Sequence, residues 1–112
     1  MTGRTENEKE IRMITGKQRS YLKGLAQKLD PTVYIGKAGL SEMVVKSIDD
    51  KLKASELVKV KIQEGCTLNP KETCQKLAEE LDAEFVQAIG RRFVLYRRAE
   101  KKEKRKIILP RA

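Results

Sequence analysis

The stretch from Val33 to Ile62, VYIGKAGLSEMVVKSIDDKLKASELVKVKI, decides the fold. It opens on a short β-branched run, Val33 to Ile35, and closes on Val58, Val60 and Ile62 alternating with Lys59 and Lys61. Such alternation marks a strand with one buried face and one lysine-bearing face. Between them Ser41 stands as a helix N-cap, and Val44, Val45, Ile48 and Leu52 recur at helical spacing to about Ala54. Strand, helix and strand in this order form a β-α-β unit, which pairs its strands in parallel through the helical crossover.

Outward from that unit, the same grammar continues. Upstream, Thr15 and Gln18 make a capping-box pattern, and Leu22, Leu25, Ala26 and Leu29 form a helical stripe that Asp30-Pro31 stops. Downstream, Asn69 is a cap, Pro70 takes the first helical position and Glu72 completes a second capping box. Cys74, Leu77, Ala78 and Leu81 supply the apolar stripe of that third helix. Two apolar runs, EFVQAI and FVLYR, are split by Gly90-Arg91 and read as an antiparallel hairpin. The order is α-β-α-β-α-β-β: a compact single α/β domain with a four-stranded mixed sheet, its β-α-β units paired in parallel and one antiparallel strand added by the hairpin. Residues 1–12 read as a disordered leader, 13–98 as the domain and 99–112 as a basic tail.

Composition narrows the chemistry. The chain of 112 residues carries a formal charge of +9 and has no histidine. The commonest general base and the commonest metal ligand are therefore both missing, which argues against an enzyme and against a metal site. The leader is neutral, whereas residues 97–112 hold eight basic side chains against Glu100 and Glu103. An excess of this kind favours a polyanionic partner, although a Lys/Glu-rich tail also serves as a solvated segment. Cys66 and Cys74 form no CxxC pair, and Cys74 sits on an apolar helix stripe, as a small core residue would. No signal peptide or membrane-spanning run is present in the sequence, so a reducing cytoplasm is the expected compartment and no membrane is expected as partner.

The turn Gly36-Lys37-Ala38-Gly39 is the candidate site. A mononucleotide-binding loop needs GxxxxGK followed by Ser or Thr, and here the lysine lies between the glycines. The dinucleotide fingerprint is absent as well, so no cofactor is expected. A GxxG turn can instead let a sugar-phosphate backbone come close, with Lys37 as a cation and the next helix's amides toward phosphate. Gly, Ala and Lys between a strand and a helix are also the make-up of an ordinary turn. Lys17, Arg19 and Lys23 on the first helix, together with Arg91 and Arg92 in the hairpin turn, are further candidate phosphate contacts. Phe85 and Phe93 fall in apolar strand runs and read as core, so backbone and shape recognition is expected rather than base stacking.

Taken together, ITGKQRSYLKGLAQKLDPTVYIGKAGLS, ELVKVKI and VQAIGRRFVLYRR resemble the CRM domain (chloroplast RNA splicing and ribosome maturation), in its stand-alone bacterial YhbY-like form. The resemblance runs from Ile14 to Arg98. It implies an RNA-binding domain shaped like the C-terminal domain of translation initiation factor 3, associated in bacteria with precursors of the large ribosomal subunit. It also implies RNA contact through Gly36, Lys37, Ala38 and Gly39, a basic helix opening at Lys17 and Arg19, and a turn at Ile89, Gly90 and Arg91. The expected function is thus an RNA-binding accessory factor in ribosome assembly, monomeric, contacting large-subunit ribosomal RNA or its precursor. The competing expectation is a protein-interaction module docking on ribosomal proteins, with an incidental basic surface.

Overall fold

In the computed structural model, which describes residues 14–99 and 107–110, seven elements follow the expected order. They are α1 (Gly16–Gln27), β1 (Val33–Ile35), α2 (Glu42–Ser55), β2 (Leu57–Ile62), α3 (Pro70–Glu80), β3 (Glu84–Ile89) and β4 (Arg92–Tyr96). Each helix begins where a polar side chain accepts one of the otherwise unpaired first-turn amides. The Thr15 hydroxyl accepts from the Gln18 amide at 3.1 Å, and the Thr15 amide donates to Gln18 Oε1 at 3.0 Å. Ser41 Oγ accepts from Val44, and Asn69 Oδ1 from Glu72. The box expected at Asn69 is only half formed, because Glu72 is exposed and does not return the bond to the Asn69 amide. Leu29 lies beyond the end of α1 and is exposed, rather than in the helix's buried stripe.

The strands stand in the order β1-β2-β4-β3. β1 and β2 are parallel, with Val33 opposite Val60 and Ile35 opposite Ile62. β4 is antiparallel to both β2 and β3. It follows that β3 shares the direction of β2 without pairing with it, whereas the sequence reading makes the strands of each β-α-β unit neighbours. The reason lies in the side chains of the last two strands. Phe93, Val94, Leu95 and Tyr96 are all buried and need cover on both faces and both edges. Gln87 is half-buried and Ile89 exposed, which suits β3 to the edge.

The sheet buries a different cluster on each face. Against α2 and α3 lie Ile35, Val58, Val60, Ile62, Phe93 and Leu95, packed with Ile48, Leu52, Cys74 and Leu77. Against α1 lie Leu57, Val86, Val94 and Tyr96, packed with Ile14, Leu22 and Ala26. Burying each large apolar side chain contributes roughly 1.5–3 kcal/mol. Helix α1 crosses the strands. Near its start Arg19 Nε donates to Phe85 O in β3, and at its end Lys59 Nζ from β2 donates to Ala26 O and Leu29 O. The Phe85 carbonyl sits at a bulge, where the pairing of β3 with β4 slips between Phe85 and Gln87.

Two acidic side chains tie the end of β4 to the helices. Arg97 Nη1 bridges Asp49 Oδ1 at 2.8 Å and Leu81 O at 2.7 Å, so α2 and α3 share one guanidinium. Burial raises the Asp49 pKa, but bonds from Arg97 and Lys53 outweigh it and leave a net lowering. The stability this carboxylate contributes is therefore full above its unfolded value, about 3.9, and is lost as pH falls through the folded value. Glu56 is 1% exposed and holds a left-handed backbone at the end of α2, with φ of 66°. One of its oxygens accepts from the Ala99 amide at 2.8 Å, the other from the Ile107 amide at 2.9 Å.

That carboxylate ties Ala99 and Ile107 to the domain. Ile107 and Leu109 pack against the α1-side cluster, and Gln18 Nε2 donates to Pro110 O. Ile107 and Leu109 are apolar residues within the stretch that the sequence marks as a basic tail. Residues 1–12, read as a leader, lie outside the described residues. Among the described residues no helix is long and apolar enough to cross a membrane. Replacing Glu56 by Gln leaves one amide facing another donor. We expect the urea midpoint to drop by the equivalent of about 1–3 kcal/mol, with the slope unchanged and faster hydrogen exchange at Ala99 and Ile107.

Candidate nucleic-acid interface

Strand register brings three loops to one end of the sheet. β1 and β2 end together at the Ile35–Ile62 pair, and the Lys61–Arg92 and Ile89–Arg92 pairs set the hairpin turn beside them. The Gly36–Gly39 turn is closed by the Gly39 amide donating to Gly36 O at 3.0 Å. Gly39 has φ of +73°, a conformation that any other residue would adopt under strain. This turn rests on the loop after β2. The Gln63 amide donates to Ile35 O at 2.9 Å, and a Cβ on Gly65 would stand 3.0 Å from Lys37 Cε. Lys37 is thus laid across Gly65 while remaining exposed. The following helix offers less to an anion than the sequence suggests. Ser41 already takes the Val44 amide, and Glu42 places a carboxylate in the first turn of α2.

Arg91 holds the loop after β2 in place. Its Nε donates to Ile62 O at 3.1 Å, and its Nη2 donates to Gln63 O at 2.8 Å and Cys66 O at 3.0 Å. Only a guanidinium has the planar set of donors for three carbonyls at once. Arg92 next to it is exposed, and among the described residues its side chain has no bonded partner. Arg19, as described, satisfies the bulge carbonyl. Lys23 shares a groove along the outer edge of β3 with Arg19, Ile89 and two α3 residues, Lys71 and Gln75. Lys71 is a cation that the sequence reading leaves out; its place beside α1 depends on strand order. Lys17 is exposed on α1 and lines neither the loop cluster nor this groove.

The face of the sheet away from α1 carries an acidic groove that begins beside the turn, at Glu42. This groove, between α2 and α3, is lined by Glu42, Asp49, Glu80 and Asp82 against Lys46 and Arg97, and Arg97 is occupied by Asp49 and Leu81. Among the described residues no cluster of three metal-ligating side chains occurs. Cys66 and Cys74 are buried and unpaired by a disulfide. Cys74 lies in the larger core, where burial pushes its thiol up to about 12, and the thiol donates to Val94 O. A thiol so placed carries no nucleophilic chemistry at neutral pH.

The chain is similar to several known proteins. The CRS1 / YhbY (CRM) domain model matches residues 14–97. The probable RNA-binding protein YqeI of Bacillus subtilis is 36% identical over 98 residues, which span 88% of this chain and 100% of that protein. A probable RNA-binding protein of Methanocaldococcus jannaschii is 38% identical over 109 residues, covering 89% of this chain and 81% of its own. The solution structure of a candidate RNA-binding protein of Staphylococcus aureus superposes with a TM-score of 0.71 at 40% identity, covering 88% of this chain and 100% of that one.

Replacing Arg91 by Ala removes the donors to Ile62, Gln63 and Cys66 without entering the core. The loop after β2 should open more often, and about 1.4 kcal/mol of local opening is a tenfold effect. We expect Cys66 to react with a disulfide reagent roughly tenfold faster, while Cys74 stays unmodified in the folded chain. An unchanged Cys66 rate contradicts the bracket role of Arg91.

Proposed function

The chain belongs to the CRS1 / YhbY (CRM) domain family, and on that footing we propose that it is an RNA-binding accessory factor in assembly of the large ribosomal subunit, with no catalytic step of its own. The observation that carries this reading is the gathering of the Lys37 turn, the Arg91-held loop and Arg92 at one end of the sheet. Relatives named as probable RNA-binding proteins support RNA as the partner class. The net charge of +9 supports it independently.

In this reading Gly36, Ala38 and Gly39 keep the turn small enough for a sugar-phosphate backbone to pass closely. Lys37, Arg92 and Lys23 act as phosphate cations, and Lys17, exposed on α1 apart from them, adds a more distant charge. Arg91 and Arg19 contribute first by holding backbone carbonyls, so their loss weakens binding through the shape of the loop and the seat of α1. The partner is large-subunit ribosomal RNA or its precursor particle, met by a monomer in a reducing cytoplasm. The second reading, a module that docks on a ribosomal protein, is favoured by Met43 and Ile89, which are 81% and 68% exposed near the same end. Association with ribosomal particles that survives nuclease treatment is the outcome that reading requires.

Charge reversal at the turn tests the RNA reading. Lys37→Glu should weaken binding of a single-stranded oligoribonucleotide at low salt and reduce the slope of log K against log salt by about 0.7 for each phosphate no longer neutralised. Unchanged affinity and slope would remove the turn from the interface.

A further inference from the structure

The α1 side of the sheet is only partly covered. Residues on this face come in rows across the strands, about 7 Å apart along each strand. One row is Glu84, Tyr96 and Leu57, and the next is Gln87, Val94 and Lys59. Helix α1, about 10 Å wide, lies over these two. The third row is Ile89, Arg92, Lys61 and Tyr34, in that order across β3, β4, β2 and β1. It lies toward the loop end, past the helix. Tyr34 is 49% exposed there and Ile89 68%. Lys61 and Arg92 have no side-chain partner among the described residues, and no carboxylate belongs to the row. Lys23, on the edge of α1, shares the groove that Ile89 lines.

We propose that this open row is a nucleotide subsite for single-stranded RNA, with one base stacked on Tyr34 and its flanking phosphates held by Lys61 and Arg92. The proposal rests on the RNA-binding reading above and extends it from the turn onto the sheet. Neighbouring strands are about 4.8 Å apart, so the row presents a ring and two cations within roughly 10 Å. Stacking on an aromatic ring flanked by cations is how single strands are held without reading every base edge. Tyr34 lies two residues before Gly36, so a strand gripped at the turn passes directly onto its ring. The uniform positive charge of the row, with no compensating acid, favours a polyanion over an apolar protein surface.

Binding of a fluorescent single-stranded oligoribonucleotide to the full chain, measured across a salt series, tests the subsite. Tyr34→Ala should weaken binding by about fivefold or more, with the salt slope unchanged, while Tyr34→Phe binds like the parent. The double variant Lys61→Gln, Arg92→Gln should lower the slope by about 1.4. A urea midpoint equal to the parent's confirms that each variant is folded. If Lys37→Glu weakens binding and Tyr34→Ala does not, the subsite is overturned and the turn remains. If no variant alters affinity, the RNA reading falls and the subsite with it. Tyr34→Ala that keeps RNA affinity but loses nuclease-resistant association with ribosomal particles overturns the subsite in favour of a protein contact.

Discussion

Strand β4 is the constraint on which the rest of the structure depends. Phe93 and Leu95 face one side of the sheet while Val94 and Tyr96 face the other, and all four are buried. A strand apolar on both faces is stable only in the middle of a sheet with helices on both sides. The crossover from β2 through α3 must therefore leave a gap beside β2, which β4 fills when the hairpin turns back. The same demand fixes α1 on the otherwise open face. Crossing the strands, α1 is wide enough to cover two rows and leaves the third open. The uncovered row and the loop end of the sheet are consequences of how far this cover reaches.

Arginines stabilise the geometry as much as they charge the surface. Arg91 spans three carbonyls, Arg19 satisfies the carbonyl at the β3 bulge, and Arg97 links α2 to α3 through Asp49 and Leu81. Lysines divide differently. Lys59 lies at the end of α1, where its charge also suits the helix dipole, whereas Lys37 and Lys61 remain at the surface facing the loop end. Net charge alone does not distinguish these roles. A cation already bonded to carbonyls has fewer donors left for phosphate, so fewer cations are free for an anion than a count of basic residues implies.

Much of the fold was legible in the sequence because the signals were local. Thr15 with Gln18, Asn69 with Pro70, and the alternation of Val58, Val60 and Ile62 each identify an element from its own residues. Strand order was not legible, since nothing in a β-α-β stretch says whether its strands touch or leave a gap. The Glu56 latch was hidden for a related reason: its two bonding partners are amides 43 and 51 residues away. At the candidate site, the turn and its glycines were visible as a motif. The partners of Arg91 and the row through Tyr34 depend on register, which appears only after the strands have paired.

The most direct test of the central claim is an amide-resolved NMR titration of the isotopically labelled chain with a single-stranded oligoribonucleotide. Shifts are expected at Tyr34 to Gly39, Lys61 to Gly65 and Ile89 to Arg92, with Lys23 moving and the groove around Asp49, Glu80 and Asp82 remaining still. Shifts confined to that acidic groove, or none at the loop end of the sheet, would contradict that claim.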